Sequence, residues 1–148
     1  LARYELPPKR LRIEVTERSL FEQPELARGL LAELRALGVS LALDDFGTGY
    51  SSLSYLHQFP LQVLKIDRSF VEATDQNEPG SALAVLRAIC VLGTSLGMEV
   101  VAEGIETQEQ LERVRALGCR YGQGFLLGLP QPVSQLASPA GAEETPAL

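Results

Sequence analysis

The stretch from Val39 to Ser52 reads VSLALDDFGTGYSS and joins an apolar run to a pair of acids and a glycine-rich segment. The run 39–43 is typical of a buried strand, and we expect this strand to end where Asp44 and Asp45 begin. Two unit charges about 4 Å apart repel by about 4 kcal/mol at an effective dielectric of about 20. The acid pair therefore indicates a cation site, for which a divalent ion is the simplest candidate.

A repeated joint places this stretch in a larger pattern. A glycine closes a helix and a strand follows at once, at Leu37-Gly38-Val39, Leu96-Gly97-Met98 and Leu117-Gly118-Cys119. Repeats of about 25–30 residues with nearly continuous apolar strands are typical of parallel β/α architecture. We count about five strands, at 10–15, 39–43, 61–66, 98–102 and 119–122. A closed barrel needs eight strands and typically about 250 residues, so the predicted fold class is α/β, a partial TIM-type (β/α) barrel.

Helices are predicted between these strands. The first begins at Pro24 and ends at Gly38, with an apolar face of Leu26, Leu30, Leu31, Leu34 and Leu37. A short helical piece is predicted around 51–58, and a long helix at about 80–96 follows the polar loop 75–80. Thr107-Gln108-Glu109-Gln110 is a capping box that starts the last helix, which Gly118 ends.

Composition limits the class of protein. The 148 residues have a formal net charge of −6, which argues against a binder of DNA or RNA duplexes. Cys90 and Cys119 lie in apolar segments without metal-site spacing, so we interpret them as core residues of a reduced, cytoplasmic protein. His57 is interpreted as a structural or surface residue. Because the chain begins with Leu-Ala-Arg rather than Met, we expect it to be part of a longer protein.

Charged residues gather at one end of the predicted strands. In parallel β/α folds, functional sites lie at the carboxyl ends of the strands. The residues at these ends are Glu14, Asp44, Asp45, Lys65, Asp67, Glu103 and Gln123. A solvated rim of acids explains any one of them, but four strands with carboxylates at the same end favour a site.

The residue types at these ends select the chemistry. Carboxylates with one lysine, and without His or Cys, favour Mg²⁺ or Mn²⁺ over zinc. Two such ions a few Å apart would hold a phosphate and activate a water for in-line attack. Lys65 could hold that water or a phosphate oxygen, and a glutamate near the water could act as general base.

Five motifs together identify a family. They are Ile13-Glu14-Val15-Thr16-Glu17, the stretch 44–52, Leu64-Lys65-Ile66-Asp67-Arg68-Ser69-Phe70-Val71, Val101-Ala102-Glu103-Gly104-Ile105-Glu106-Thr107, and Gln123-Gly124-Phe125. Their order and spacing resemble the EAL family of cyclic-di-GMP phosphodiesterases. The resemblance implies that residues 1–132 are the C-terminal portion of such a domain and that 133–148 form a disordered tail. It also implies hydrolysis of cyclic-di-GMP to linear pGpG in bacterial second-messenger signalling, with Mg²⁺ or Mn²⁺ as cofactor, in two copies.

The resemblance also implies the metal ligands. Glu14 and Asp44 would be ligands, and Asp45 would bind the second metal or bridge the two. Asp67 would lie in the metal shell or support Lys65.

Further roles follow from the same resemblance. Lys65 would contact the attacking water or the phosphate, and Glu103 would be the general base or position the water, although the family is also described with this residue as a ligand. Glu17 is similar to the residue that anchors the acidic loop with Gly47 and Gly49, and Gln123 to one near the substrate.

The chain also departs from the family pattern. The Glu-Ala-Leu motif of the first strand and an Asn ligand are absent, and Leu129 stands where a basic residue is usual. The resemblance therefore predicts little or no activity for this chain alone. The alternatives are an inactive cyclic-di-GMP-binding or protein-interaction module, or an inactive fragment. A homodimer and an upstream sensory or cyclase domain are the further predicted partners.

Overall fold

A computed structural model describes residues 1–49, 53–75, 80–132 and 134. Its strands are β1 (Arg12–Thr16), β2 (Ser40–Phe46), β3 (Val63–Ile66), β4 (Glu99–Ala102) and β5 (Tyr121–Gly122). Its α-helices are α1 (Glu17–Glu22), α2 (Pro24–Ala36), α3 (Leu53–Leu56), α4 (Arg68–Glu72), α5 (Gly80–Ser95) and α6 (Gln108–Ala116). Short 3₁₀ turns occupy Ala2–Tyr4, Pro8–Arg10 and Ala73–Asp75.

The strands form one parallel sheet in sequence order, from β1 at one edge to β5 at the other. Sequential parallel strands linked by helices are the repeating unit of a (β/α) barrel. The predicted fold class, a partial barrel of five parallel strands, is therefore confirmed. All four residues of β3, at the centre of the sheet, are buried.

The repeated helix–glycine–strand joint is present at all three positions. Gly38, Gly97 and Gly118 have φ angles of +87°, +73° and +83°. Side chains with a Cβ atom are disfavoured in this left-handed region, so glycine is the residue that lets each helix end and turn into the next strand. The chain enters β2, β4 and β5 through these turns.

Two short helices were not predicted from the sequence. Both α1 and α4 begin directly after a strand, and a side chain caps each of them. The Thr16 hydroxyl accepts a hydrogen bond from Ser19 N at 3.4 Å, and Asp67 Oδ1 accepts one from Ser69 N at 3.1 Å. Helices of five or six residues show too little apolar periodicity to be recognised, and the caps are the only local signal.

The predicted apolar face of α2 is wrong in part. Leu31 is buried and Leu34 is partly buried, but Leu26, Leu30 and Leu37 are 56%, 51% and 66% exposed. Several of these side chains line a groove of about 360 Å³ next to Val15 of the edge strand β1. The periodicity predicted the apolar stripe correctly, but only one side of it faces the sheet.

Other predictions fall on residues outside the described ranges. These are Tyr50 to Ser52 of the glycine-rich stretch, 76–79 of the polar loop, and all of the predicted tail 133–148 except Ser134. Cys90 and Cys119 are buried in the core, as predicted, with 3% and 1% of their surfaces exposed. In the described part of the chain, every helix is too short or too polar to cross a bilayer.

Candidate metal centre

Lys65 lies at the centre of the charged group at the carboxyl end of the sheet. It is the third residue of β3, and its side chain is 10% exposed. Its Nζ atom lies 2.7 Å from Glu14 Oε2, 2.8 Å from Asp44 Oδ1 and 3.0 Å from Glu103 Oε1. An ammonium has three N–H donors, so these carboxylates engage all of them. The lysine thus joins β1, β2 and the residue that follows β4.

The environment shifts the pKa values of two of these groups. Burial lowers the pKa of Lys65, but hydrogen bonds to Asp44, Glu14 and Glu103 outweigh it, so the net pKa is raised above its ordinary value and the lysine stays charged. Burial raises the pKa of Glu103, Lys65 opposes this shift, and the charges of Asp44 and Glu14 add to it. Glu103 is therefore a carboxylate that holds a proton more readily than an exposed glutamate does.

The two adjacent acids of β2 are brought together by a distortion of the strand. We predicted that the strand would end before Asp44, but it runs to Phe46. Its pairing with β3 shifts register between Leu43 and Phe46, and Asp45 has a φ angle of +52°. Neighbouring side chains in a regular strand point to opposite faces, whereas a bulge re-aims one of them. Asp44 and Asp45 can therefore serve one site.

Asp44, Asp45 and Glu103 form a candidate cation site. Each offers a carboxylate oxygen, and the three oxygen atoms lie within 4.8 Å of one another. We call these residues together with Glu14 the carboxylate cluster. Lys65 contacts three of the four carboxylates, and the four together with its ammonium have a formal charge of −3 when all are ionised. Oxygen ligands and excess negative charge fit a hard divalent cation such as Mg²⁺ or Mn²⁺.

The structure places the other predicted site residues at the same end of the sheet. Asp67 caps α4, with its Oδ1 accepting hydrogen bonds from the backbone and hydroxyl of Ser69. Gln123 follows β5 and is exposed, and its backbone oxygen accepts a hydrogen bond from Ile105 N at 3.1 Å. The roles predicted for Asp67 and Gln123 stay predictions.

Glu17 anchors the glycine-rich segment. It is 2% exposed, and its Oε2 accepts a hydrogen bond from Gly47 N at 3.1 Å. A Cβ at Gly49 would lie 3.0 Å from Glu17 Oε1, and one at Gly47, where φ is +96°, would lie 2.5 Å from the Phe70 ring. The two glycines are thus required by close approach and, at Gly47, by backbone conformation.

Comparison with known proteins identifies the family. The family model described as EAL domain matches residues 1–130. The chain belongs to the EAL domain family.

Relatives of this EAL chain include signalling proteins of named activity. It is 44% identical over 136 residues to the bifunctional diguanylate cyclase/cyclic di-GMP phosphodiesterase MucR of Pseudomonas aeruginosa, covering 92% of this chain and 20% of MucR. The solved MucR phosphodiesterase in complex with c-di-GMP has a TM-score of 0.88 at 44% identity, covering 93% of this chain and 55% of that one. A manganese and cyclic-di-GMP complex of Klebsiella pneumoniae BlrP1 has a TM-score of 0.76 at 37% identity, covering 85% and 32%. This chain therefore spans about half of a solved phosphodiesterase domain.

One polar network near the site was missed in the sequence. It consists of Thr74, Asp75, Gln110 and Arg113, and we call it the Gln110 network. Gln110 was recognised as part of the capping box, and the structure confirms that box. Its contact with Asp75, 35 residues earlier, has no local sequence signal.

Substitutions at Asp45 should separate its backbone role from its charge. Asn tolerates a positive φ, so Asp45→Asn should leave the free energy of unfolding nearly unchanged. Asp45→Val places a β-branched side chain at a φ of +52° and should cost about 1–2 kcal/mol. Urea unfolding of the EAL chain measures both, and equal stability of the two variants would refute the bulge. Mn²⁺ titration of Asp45→Asn then tests the charge alone.

The raised pKa of Glu103 predicts a stability effect of known sign. The folded state holds the Glu103 proton more tightly than the unfolded state, so ionisation costs stability as the pH rises above the unfolded value near 4.5. In metal-free buffer at pH 7, Glu103→Gln should raise the free energy of unfolding, because glutamine is neutral like the protonated acid that the folded state favours. The gain should vanish at pH 3, where wild-type Glu103 is protonated.

Glu99→Gln is the matched control for this prediction. Glu99 is exposed and begins the same strand, at the end of β4 away from the carboxylate cluster. Urea unfolding at both pH values should show no pH-dependent gain for this variant. A loss of stability in Glu103→Gln at pH 7 would contradict the prediction.

Proposed function

We propose that this EAL chain takes part in the metal-dependent hydrolysis of cyclic-di-GMP to linear pGpG, and that it contains most but not all of the site. The cyclic di-GMP phosphodiesterase activity of MucR and the cyclic-di-GMP complexes of MucR and BlrP1 support this choice of substrate. The chain spans 20% of MucR, so the activity of the whole protein is part of the proposal.

The charge of the site is the observation on which this proposal depends. The carboxylate cluster and Lys65 together have a formal charge of −3, and cyclic-di-GMP has two phosphodiester groups that are also negative. Substrate and site would repel unless cations lie between them. The group of Asp44, Asp45 and Glu103, with oxygens within 4.8 Å of one another, supports binding of Mg²⁺ or Mn²⁺. Glu14, which shares Lys65 with Asp44 and Glu103, would be a further ligand.

The residues have distinct tasks in this proposal. Bound Mg²⁺ or Mn²⁺ would polarise the phosphate and lower the pKa of the attacking water. Lys65 uses its three donors on Glu14, Asp44 and Glu103, so it would turn one of them to the water or a phosphate oxygen once a carboxylate ligates metal. Glu103 would accept the proton of the water or, as a ligand, would position that water.

The outer residues support the substrate and the acidic segment. Gln123 is exposed at the same end of the sheet, where it would contact the dinucleotide. Glu17 would hold Gly47 and with it the segment that follows Asp45. Asp67 would lie in the metal shell or support Lys65, and its observed capping of α4 gives it a fixed position for this task.

A reconstitution experiment tests the proposal. The 148-residue chain alone should bind Mn²⁺ in calorimetry but release little or no pGpG, because two ligands of the family pattern are absent. Mixing it with the part of the MucR phosphodiesterase domain that this chain does not match should restore pGpG release, measured by chromatography. Glu103→Gln should abolish the restored activity, whereas Glu99→Gln should not. Absence of both Mn²⁺ and cyclic-di-GMP binding in the mixture would refute the proposal.

A second candidate is a catalytically silent module that binds cyclic-di-GMP or a partner protein. The exposed Leu129, where the family usually has a basic residue, favours it because a leucine could not pair with a phosphate of the substrate. Calorimetry that shows cyclic-di-GMP binding by the reconstituted mixture without pGpG release would select this reading. The homodimer, the upstream sensory or cyclase domain and the cytoplasmic location stay predictions.

A further inference from the structure

Gln110 makes more hydrogen bonds than a capping box requires. Its side-chain oxygen accepts from Glu106 N at 2.7 Å and Thr107 N at 3.1 Å. Its side-chain nitrogen donates to Asp75 Oδ2 at 2.6 Å. Capping residues usually lie at the surface, yet Gln110 is 3% exposed. The amide therefore links the start of α6 to a segment that is distant in sequence.

That distant segment is itself firmly held. Asp75 also pairs with Arg113, which donates a hydrogen bond to Thr74 Oγ1 at 3.1 Å. Thr74 is 1% exposed, and its hydroxyl donates to Val71 O of α4 at 2.7 Å. Helix α4 begins three residues after Lys65. The Gln110 network thus connects the segment after β3 with the segment after β4.

The segment after β4 contains Glu103 and turns at Gly104. Glu103 N donates to Ile66 O at 3.2 Å, and Ile105 is fully buried with its N–H bonded to Gln123 O. Between them, Gly104 has a φ of +70°, and a Cβ there would overlap the Cβ of Arg68. Glycine leaves this turn with little resistance of its own. Gln110 holds the nearest two amides beyond Ile105, those of Glu106 and Thr107, and so fixes the far end of the segment that begins at Glu103.

We propose that Gln110, tied to Asp75 and Arg113, is a positioning residue that keeps Glu103 within the carboxylate cluster. This inference rests on the proposed function, because the benefit of the position is cation binding by Asp44, Asp45 and Glu103. Residues that orient ligands from outside the coordination sphere affect metal affinity even though they do not touch the ion.

The first test removes the hydrogen bonds but keeps the shape. Gln110→Met should weaken Mn²⁺ binding by about tenfold, the scale found for residues that orient metal ligands. It should also speed hydrogen exchange at the amides of Glu103 and Ile105, neither of which contacts Gln110. Val114→Ala is the matched control, because Val114 is a buried residue of the same helix that makes none of the hydrogen bonds of the Gln110 network. Val114→Ala should lower the melting temperature. At a temperature where both variants are folded, it should change neither Mn²⁺ affinity nor the exchange of the Glu103 and Ile105 amides.

The second test exchanges donor and acceptor. Gln110→Glu alone places a second carboxylate against Asp75 and should weaken Mn²⁺ binding as Gln110→Met does. Combined with Asp75→Asn, the new amide at position 75 can donate to the new carboxylate at position 110, and the total charge is unchanged. The double variant should restore Mn²⁺ affinity to within about threefold of wild type. If Gln110 served only to cap α6, Asp75→Asn would not change the effect of Gln110→Glu.

The outcomes separate the inference from the proposed function. If wild-type chain binds no Mn²⁺, the metal centre is refuted, and the exchange of the Glu103 and Ile105 amides still decides the role of Gln110. If those amides exchange equally in Gln110→Met and Val114→Ala, the positioning role is overturned. If the double variant recovers neither wild-type amide exchange nor wild-type Mn²⁺ affinity, the link through Asp75 is overturned.

Discussion

Replacing Lys65 with methionine is expected to lower the free energy of unfolding of the metal-free chain by about 3 kcal/mol. The substitution keeps the length of the side chain but removes the ammonium that contacts Glu14, Asp44 and Glu103. The side chains of these three acids are 18–42% exposed, so water reduces part of their mutual repulsion. The expected loss of stability therefore lies at the low end of the range for a broken buried ion pair. The raised pKa of Lys65 means that its stabilising contribution is present below the unfolded value of 10.5 and is lost only at higher pH. Urea unfolding at pH 7 therefore measures the full effect.

The other lysine of the chain is the matched control. Lys9 is exposed in a 3₁₀ turn, and Lys9→Met should change stability by less than about 0.5 kcal/mol. Millimolar Mn²⁺ should recover part of the stability lost in Lys65→Met, because a divalent ion can replace the ammonium as the neutralising charge. Equal stability of the two methionine variants would show that the carboxylates do not depend on Lys65.

Replacing Gly124 with alanine is expected to cost about 3 kcal/mol, because a Cβ at this position would overlap the backbone of Ile105. A flexible side chain could move aside, but a backbone held by its own hydrogen bonds cannot do so cheaply. Ile105 N donates to Gln123 O at 3.1 Å, and Leu126 N donates to Ile105 O at 3.0 Å. Relief of the overlap must break one of these bonds or displace the segment that begins at Glu103.

Gly128→Ala is the control for this substitution. A Cβ at Gly128 would meet no atom within 4 Å, and the predicted change in stability is less than about 0.5 kcal/mol. Urea unfolding compares the two variants. Calorimetry should in addition show weaker Mn²⁺ binding for Gly124→Ala, since Glu103 is displaced with its segment. Wild-type stability of Gly124→Ala would mean that the packing of Gly124 on Ile105 is looser than described.

The charged residues at the strand ends were accessible from the sequence because their signal is local. Asp44, Lys65 and Glu103 each lie at the end of an apolar run or just after it, and parallel topology brings such ends to one edge of the sheet. The helix-closing glycines at 38, 97 and 118 were equally readable, since a left-handed turn selects glycine on its own. The short helices α1 and α4 were missed because five or six residues contain fewer than two periods of the apolar pattern.

By itself, the sequence determined the parallel β/α order, the end of the sheet at which the site lies and the EAL motifs, because each depends on residues within a few positions of one another. Only the tertiary structure decided that Lys65 reaches three carboxylates at once, that a bulge at Asp45 aims both acids of β2 into one site, and that Gln110 bonds to Asp75. These are contacts between segments 21 to 51 residues apart. Their geometry is set by the register of strands and the packing of helices, which no local pattern specifies.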